Sequence, residues 1–212
     1  MAIWPLVWAA WLGSSARPVL TAHGTDIGLA SRPGLVGRLY AAYLRIGRRL
    51  LPNARVVANS SATEARVRAA GFAHTGIAPL GCRVSVDAPQ TGLERTLLFA
   101  GRLVERIGLS WFVTEVLPKL PEDIRLSVAG THWDEDENLA LKDPRVDFLG
   151  PLPQKELWRH MAGALAVVVP NVRKVTYQFE GFGLTASEAA AAGGIVLASN
   201  LDGYKTSVIN GE

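Results

Sequence analysis

The chain has 212 residues, of which 49% are hydrophobic and 19% are charged, as in an ordinary globular protein with a sizeable core. Its formal net charge of +3 is too small to indicate a nucleic-acid-binding protein. The single cysteine, Cys82, excludes an internal disulfide and offers no zinc-binding pattern, so a reducing cytoplasm is the simplest compartment.

The chain opens with the apolar run MAIWPLVWAAWL, which is shorter than the ~20 residues that span a bilayer. The run also lacks the basic region with which a signal peptide begins. We predict that it forms the inner helix of an α/β domain, with an anchor at a membrane interface as the alternative.

Strand-like and helical patterns alternate after this run. The predicted order is a strand in PVLTAHG, a helix near 34–50, a strand in RVVANS, a helix through 61–70 and a short strand near 77–80. Ser60 and Ser61 are helix-start residues, and Gly71 is a helix-stop residue. The polar segment 85–95 contains proline and glycine without periodicity, which indicates a linker between domains.

A second alternating series follows this segment. It comprises LLFAGRL, a helix with Trp111, Phe112, Val116 and Leu117 on one side, RLSVAG, VDFLG, a helix near 154–164, LAVVVP, a short alanine-rich helix and IVLAS. Apolar strands that alternate with helices predict parallel sheets buried on both faces. We therefore predict an α/β fold with a partial N-terminal domain at 1–88, a linker at 89–95 and a C-terminal domain at 96–212.

The segment EGFGLTASE carries the most specific chemistry. Glu180 and Glu188 flank a glycine-containing turn, and Glu188 lies on the alanine-rich helix that ends at Gly193-Gly194. Backbone N–H groups at the start of this helix, 183–185, can hold a diphosphate with help from the helix dipole. Carboxylates only accept hydrogen bonds, so Glu188 suits the hydroxyl pair of a ribose and Glu180 those of a sugar.

This segment resembles the Glu-x7-Glu signature of retaining glycosyltransferases of family 4, which have the two-domain GT-B fold. Six further blocks resemble the family in the same order: TAHGTD, RVVANSSATEARVRAAGF, LLFAGRLVERIG, RLSVAG, VDFLGPLPQKEL and VVVPNV. Two glutamates eight positions apart are common on any helix, whereas the ordered blocks extend over nearly the whole chain.

The resemblance implies two Rossmann-like domains that face a cleft, with the N-terminal domain partial and the C-terminal domain nearly complete. It also implies that the chain is truncated at both ends. The expected reaction is transfer of a hexose from a UDP- or GDP-linked sugar to a hydroxyl of a glycan or lipid-linked acceptor, with retention of configuration. No metal and no cofactor besides the nucleotide-sugar donor are expected.

The resemblance also assigns donor-binding residues. Arg102 follows the strand LLFAG and would clamp the diphosphate. The family has a lysine five residues later, where this chain has Ile107, so Arg106 would have to supply the second charge. The remaining candidates are the backbone near Leu152 for the base, Glu180 for the transferred sugar, Glu188 for the ribose, and the turn residues Gly181, Phe182, Gly183, Leu184 and Thr185. Phe182 is equally suited to a packing role.

Two residues in TAHGTD have open roles. His23 is either a catalytic residue that lines the cleft, together with Glu180, or a structural histidine of a turn, and Asp26 has the same alternatives. The histidine that the family ties to the donor sugar belongs to an earlier motif, ahead of a tryptophan such as Trp4. No histidine precedes Trp4 in this sequence.

Two charged segments suggest other sites. Asp134 and Asp136 in THWDEDEN resemble an Asp-x-Asp metal motif, but a solvated acidic loop is the simpler interpretation.

The segment between Asp26 and Glu64 contains no acidic residue. It contains six arginines: Arg32, Arg38, Arg45, Arg48, Arg49 and Arg55. This basic amphipathic helix suits an anionic membrane surface or a lipid-linked acceptor, and the alternative is a solvated helix face.

Two alternative functions remain. A nucleotide-sugar epimerase of similar shape would need acid and base groups on both sides of the sugar C2, and the sequence offers no candidate pair. A non-catalytic remnant that binds a nucleotide sugar would explain the isoleucine at position 107.

Overall fold

The computed structural model describes residues 17–173 and 180–211. The apolar opening run, and the helix predicted for it, lie outside these residues. Contacts divide the chain into two compact units. The first contains the described residues up to Leu80 and those within 173–182 and 202–211. The second contains Gly81–Val172 and Gly183–Leu201.

The first unit has a parallel three-stranded sheet in the order β1-β2-β3. Its strands are β1 (Val19–Ala22), β2 (Arg55–Ala58) and β3 (Thr75–Ile77). Its helices are α1 (Thr25–Gly28), α2 (Leu35–Leu50) and α3 (Ser61–Ala69), with 3₁₀ turns at Leu29–Ser31 and Tyr204–Thr206. The third strand begins earlier than the predicted 77–80.

Local signals set the helices of the first unit. Ser60 caps α3, since its hydroxyl accepts a hydrogen bond of 3.1 Å from the backbone N–H of Thr63. On α2, Leu44 is buried and packs with Leu20 and Val56 in one core cluster. Helical and strand periodicity therefore place apolar side chains of both elements in the same core.

The second unit has a parallel five-stranded sheet in the order β6-β5-β4-β7-β8. Its strands are β4 (Thr96–Leu103), β5 (Arg125–His132), β6 (Val146–Gly150), β7 (Ala166–Val169) and β8 (Val196–Ala198). Its helices are α4 (Leu109–Trp111), α5 (Glu135–Leu139), α6 (Gln154–Gly163) and α7 (Leu184–Ala191). The parallel sheets confirm the predicted α/β class.

Helix α4 does not remain α-helical. It continues as a π-helix at Phe112–Val116 and ends in a 3₁₀ turn at Leu117–Lys119. Pro118 has no N–H to donate to the carbonyl four residues earlier, which interrupts the α-helical pattern. Phe112, Val113 and Leu117 are buried, whereas Trp111, predicted on the same side, is 45% exposed.

The two faces of the second sheet have separate cores. Leu97, Phe99 and Leu103 of β4 face the cluster that contains residues of α4. Leu98 and Ala100 face the other cluster, which contains Met161 of α6 and Ala189 of α7. Since side chains alternate along a strand, Arg102 lies on the face that α6 and α7 cover.

The division into units differs from the predicted boundaries at 88 and 95. Val84 and Val86 are partly buried against the core cluster that contains α6. The Gln90 N–H donates to the Arg159 carbonyl at 2.9 Å. Residues 84–86, which were predicted to belong to the N-terminal domain, therefore pack on the second unit, because their apolar side chains contact its core.

No helix within the described residues is long and apolar enough to cross a bilayer.

Arg145 ties the 3₁₀ turn at Leu117–Lys119 to the segment that precedes β5. Its guanidinium donates to the carbonyls of Leu117 at 2.8 Å, Pro121 at 2.7 Å and Ile124 at 2.8 and 3.0 Å. A planar fork with several donors is suited to binding several carbonyls of one connecting segment at once.

We expect Arg145→Ala to lower the free energy of unfolding by about 2–3 kcal/mol, because it leaves these carbonyls without their charged donor. Arg145→Lys should recover only part of the loss. Denaturant unfolding followed by circular dichroism measures both. Arg125→Ala, at an exposed arginine of β5, is the matched control, and an equal loss in that variant would contradict the role of Arg145.

Candidate functional site

The carboxyl edge of the second sheet carries a cation and an aromatic ring. Arg102 is exposed near the end of β4, which extends to Leu103 rather than ending before Arg102. Its guanidinium carbon lies 5.5 Å from the ring centroid of Trp133, which follows β5 and is 66% exposed. A cation over an aromatic face is held by the ring quadrupole. The pairing therefore restricts Arg102 at the edge where open α/β sheets bind ligands.

The start of α7 provides backbone donors in the same unit. Gly183 is the N-cap, with φ 80°, and offers no side chain to cap the helix. The first amides with partners inside the helix are those of Ala186 and Ser187, which donate to the Gly183 carbonyl. The amides of Leu184 and Thr185 lie before the first of these donors in the chain. Together with the helix dipole, they favour binding of an anion at the start of α7.

Glu188 lies one turn further along α7 and is partly buried. Its Oε1 accepts a hydrogen bond of 3.2 Å from Nε2 of Gln154, the first residue of α6. Leu152, just before α6, packs partly buried against the core cluster of the same sheet face. The structure thus groups Leu152, Gln154 and Glu188 on one side of the second unit. Sequence reasoning missed Gln154, because no local pattern shows that the starts of α6 and α7 are neighbours.

Ile107 has a packing role. It is partly buried against the core cluster of α4. Its Cγ2 lies 3.6 Å from the position that a Cβ would occupy at Gly101. Arg106 is adjacent and partly buried, and its carbonyl accepts from the N–H of Val172 at 3.0 Å. The backbone of 106–107 is therefore fixed near the end of β7.

The acidic run is not the solvated loop expected from its composition. It forms α5, and Glu137 is 3% exposed. Glu137 accepts from the Ser110 N–H and Asp134 from the Glu105 N–H, both at 3.0 Å. These carboxylates satisfy backbone donors at the start of α4 and at the start of the 3₁₀ turn Glu105–Ile107 that precedes it. Within the described residues, no group of three or more potential ligands is arranged to hold a metal ion.

In the first unit, His23 lies in a turn held by Asp26. The Asp26 carboxylate accepts from the backbone N–H groups of His23, at 3.0 and 3.1 Å, and of Gly24, at 2.9 Å. The hydroxyl of Tyr40 donates to the Asp26 carbonyl at 2.6 Å, and burial, followed by the Asp26 charge, raises the pKa of Tyr40. The His23 side chain itself is exposed beyond the carboxyl end of β1. The Asp26 carboxylate thus holds the turn in which His23 lies.

The first part of the motif packs on this turn. The Thr63 hydroxyl donates to the Gly181 carbonyl at 3.4 Å, and the Ser207 hydroxyl donates to the Phe182 carbonyl at 2.5 Å. A Cβ at Gly181 would lie 2.5 Å from the His23 carbonyl oxygen, so only glycine fits there. Phe182 is 5% exposed, as a packing anchor would be. Glu180 is partly buried, and its Oε1 accepts from the Phe182 N–H at 3.4 Å.

The predicted site residues therefore fall into two groups. His23, Glu180, Gly181 and Phe182 belong to the first unit. Arg102, Arg106, Leu152, Gly183, Leu184, Thr185 and Glu188 belong to the second. The motif from Glu180 to Glu188 is continuous in sequence, but the boundary between the two units lies between Phe182 and Gly183.

Comparisons with known proteins agree with this fold. Residues 94–212 match the family described as glycosyl transferases group 1. A glycogen synthase of Mycobacterium tuberculosis is 34% identical over 134 residues, which are 58% of this chain and 30% of that protein. A D-inositol 3-phosphate glycosyltransferase of Corynebacterium diphtheriae is 32% identical over 131 residues, or 56% and 29% of the two chains. The matched regions are thus less than a third of these relatives.

Solved structures are similar over nearly the whole chain. The sucrose-phosphate synthase of Thermosynechococcus elongatus superposes with a TM-score of 0.73 at 23% identity, over 97% of this chain and 56% of that one. HepE of Anabaena, solved in complex with UDP, gives 0.77 at 18% identity, over 98% and 60%. At such identities the likeness concerns the fold, which is α/β GT-B as predicted, with this chain carrying part of it.

The family match extends over more than half of the chain, and strands β4 to β8 with the motif helix lie inside it. The chain therefore belongs to the glycosyl transferases group 1 family.

Proposed function

We propose that this chain is part of an enzyme that transfers a hexose from a UDP- or GDP-linked sugar to a hydroxyl of a glycan or lipid-linked acceptor, with retention of configuration. The observation that carries the proposal is the arrangement of Arg102, the start of α7 and Glu188 in the second unit. This arrangement combines a cation, backbone donors and an acceptor carboxylate at the carboxyl edge of the second sheet, on the face that α6 and α7 cover.

Each group has a role that follows from its chemistry. Arg102 binds the diphosphate and stabilises the charge that develops on it as the nucleotide leaves. The amides of Leu184 and Thr185 bind the same anion, and Arg106 adds a charge where the family has lysine one position later. Glu188 accepts from the ribose hydroxyls, and Gln154 fixes its orientation. The backbone near Leu152 meets the base.

The residues of the first unit keep their proposed roles from the family resemblance. Glu180 accepts from hydroxyls of the transferred sugar, and His23, whose side chain is exposed, contacts the sugar from the turn that Asp26 holds. The acceptor attacks from the face that the diphosphate leaves. Positioning and charge stabilisation, without metal or cofactor, then supply the catalysis. The UDP bound to HepE, which has a similar fold, supports a UDP-linked sugar as one of the two candidate donors.

Two alternative functions predict different outcomes in a product assay. An epimerase changes the donor sugar when no acceptor is present. A non-catalytic remnant binds the donor without turnover, and Ile107, packed in the core rather than charged, favours this alternative.

We expect UDP- or GDP-sugars, but not ADP-sugars, to raise the melting temperature by about 5–10 °C at a hundredfold excess over Kd. Glu188→Ala should abolish the increase, because the carboxylate that accepts from the ribose is lost. A thermal-shift screen measures it. Glu156→Ala, at an exposed glutamate of α6, is the matched control and should respond like the parent. Equal stabilisation of the Glu188→Ala variant would remove Glu188 from the site.

We expect Ile107→Lys to tighten nucleotide diphosphate binding about three- to tenfold, because it supplies the positive charge that the family carries at this position. Calorimetric titration with UDP measures this change, and Ile107→Met controls for the altered packing without a charge. Tightening by both variants, or by neither, would show that position 107 does not face the diphosphate.

We also propose that α2 lies on an anionic membrane surface, which would suit a lipid-linked acceptor. Leu35, Leu39, Ile46 and Leu50 are 70%, 61%, 50% and 41% exposed and lie on one side of the helix. Arg38, Arg45 and Arg49 each precede one of these side chains, about 100° around the helix, so they flank the apolar stripe. α2 has no acidic residue. An apolar stripe beside arginines matches the interface of an anionic bilayer.

We expect vesicles that contain phosphatidylserine to bind the chain in co-sedimentation, and Leu39→Ser with Ile46→Ser to reduce binding about tenfold or more. Leu139→Ser with Ile209→Ser removes two similarly exposed apolar side chains elsewhere and should have no effect. Binding that depends weakly on the anionic lipid content would contradict the membrane contact.

A further inference from the structure

The first unit contains a cavity of about 520 Å³ that the proposed donor chemistry does not use. It lies between α1 with the following 3₁₀ turn, the second half of α2 and the end of α3. Ile27, Ala30 and Leu44 form part of an apolar wall, and Arg45, Arg48 and Arg66 also line it. Among the described residues, its lining includes no aspartate or glutamate.

The three guanidinium groups are brought together by two different helices. Arg45 and Arg48 are nearly one turn apart on α2, and Arg66 comes from α3. The Arg48 side chain lies against Gly71, with Nη1 2.4 Å from where a Cβ would stand. Burial, followed by the nearby charge of Arg173, lowers the pKa of Arg66. Positive charge is therefore concentrated where it is partly desolvated.

The nearby carboxylates of the unit bind donors that do not line the cavity. Asp202, whose charge raises the pKa of Arg66, accepts from Lys205 Nζ at 2.8 Å and pairs with Arg173 at 3.5 Å. Glu64 on α3 accepts from Arg68 at 2.9 Å and from Thr75 at 2.7 Å. Asp26 accepts from the backbone amides of the His23 turn. None of these acids lines the cavity.

Arg48 and Arg66, which line the cavity, lie away from the carboxyl edge of the first sheet. α3 begins directly after β2 and runs back along the sheet, so its end, near Arg66 and Gly71, lies toward the amino ends of the strands. α2 ends shortly before β2 begins, so Arg48 lies toward the same edge. Substrates of open α/β sheets bind at the opposite, carboxyl edge, where His23 and Gly181 lie.

We propose that this cavity is a second binding site, for the phosphate group of a phosphomonoester with a small apolar or sugar moiety. Guanidinium groups bind phosphate oxygens through paired, charge-assisted hydrogen bonds, and the apolar wall accommodates the remainder of the ligand. The ligand is either a free phosphate ester or a lipid headgroup. The site is independent of the donor site, because no residue of the proposed donor set lines it.

The test is calorimetric titration of the full chain with inorganic phosphate and with glucose 6-phosphate. Arg45→Gln with Arg48→Gln should weaken binding about tenfold or more, since two charge-assisted interactions are lost. Arg38→Gln with Arg49→Gln removes the same charge from the same helix outside the cavity and should change the Kd less than about twofold. The absence of phosphate binding by the parent, or equal weakening in both pairs, would overturn the proposal.

The same variants distinguish the two sources of phosphate. Phosphatidylcholine vesicles with and without phosphatidic acid are added to the parent chain and to each pair of variants. A larger loss of phosphatidic-acid-dependent vesicle binding in Arg45→Gln with Arg48→Gln than in Arg38→Gln with Arg49→Gln, together with weak binding of glucose 6-phosphate, identifies a headgroup. Tight binding of glucose 6-phosphate that vesicles do not displace identifies a free ester.

A measurement on the unaltered chain guards against variants that fail to fold. Phenylglyoxal modifies accessible arginines, and peptide mass mapping locates the products. Phosphate should protect Arg48 and Arg66 while Arg38 and Arg49 remain reactive. Equal protection of all four arginines would indicate general screening and contradict the site.

Discussion

Parallel pairing of β4 with β5 and β7 is the constraint on which the second unit depends. Because helices cover both faces of these central strands, charged side chains are confined to the strand ends. Arg102 and Trp133 emerge there, and the start of α7 supplies its amides after β7. The chemistry proposed for the chain is therefore a consequence of burying Leu98, Phe99 and their neighbours.

The motif that first indicated function belongs to two packing environments. Gly181 and Phe182 are bound by Thr63 and Ser207 in the first unit, whereas α7 packs through Ala189 on the sheet of the second. The two glutamates are thus held by different cores. Glycine is required at position 181 because a Cβ there would lie 2.5 Å from the His23 carbonyl oxygen.

Much of the fold was predictable because its signals are local. Apolar strands, the Ser60 cap and the positive φ of Gly193 after α7 were all indicated by neighbouring residues. The structure differed where distant partners decide the outcome. Glu137 was expected in a solvated loop but is buried, since the start of α4 offers it a backbone donor. The segment near Val84 and Val86 packs on the second unit, because a partly buried apolar surface is available there.

The sequence by itself determined the α/β alternation, the parallel sheets and the family to which the chain belongs, because periodicity and motif order are carried by residues close together in the chain. Only the tertiary structure decided which helix ends become neighbours. It brought Gln154 to Glu188 and placed Arg45, Arg48 and Arg66 around one cavity. Such groupings arise from helices packed side by side across a sheet, and the spacing of residues along the chain contains no measure of that packing.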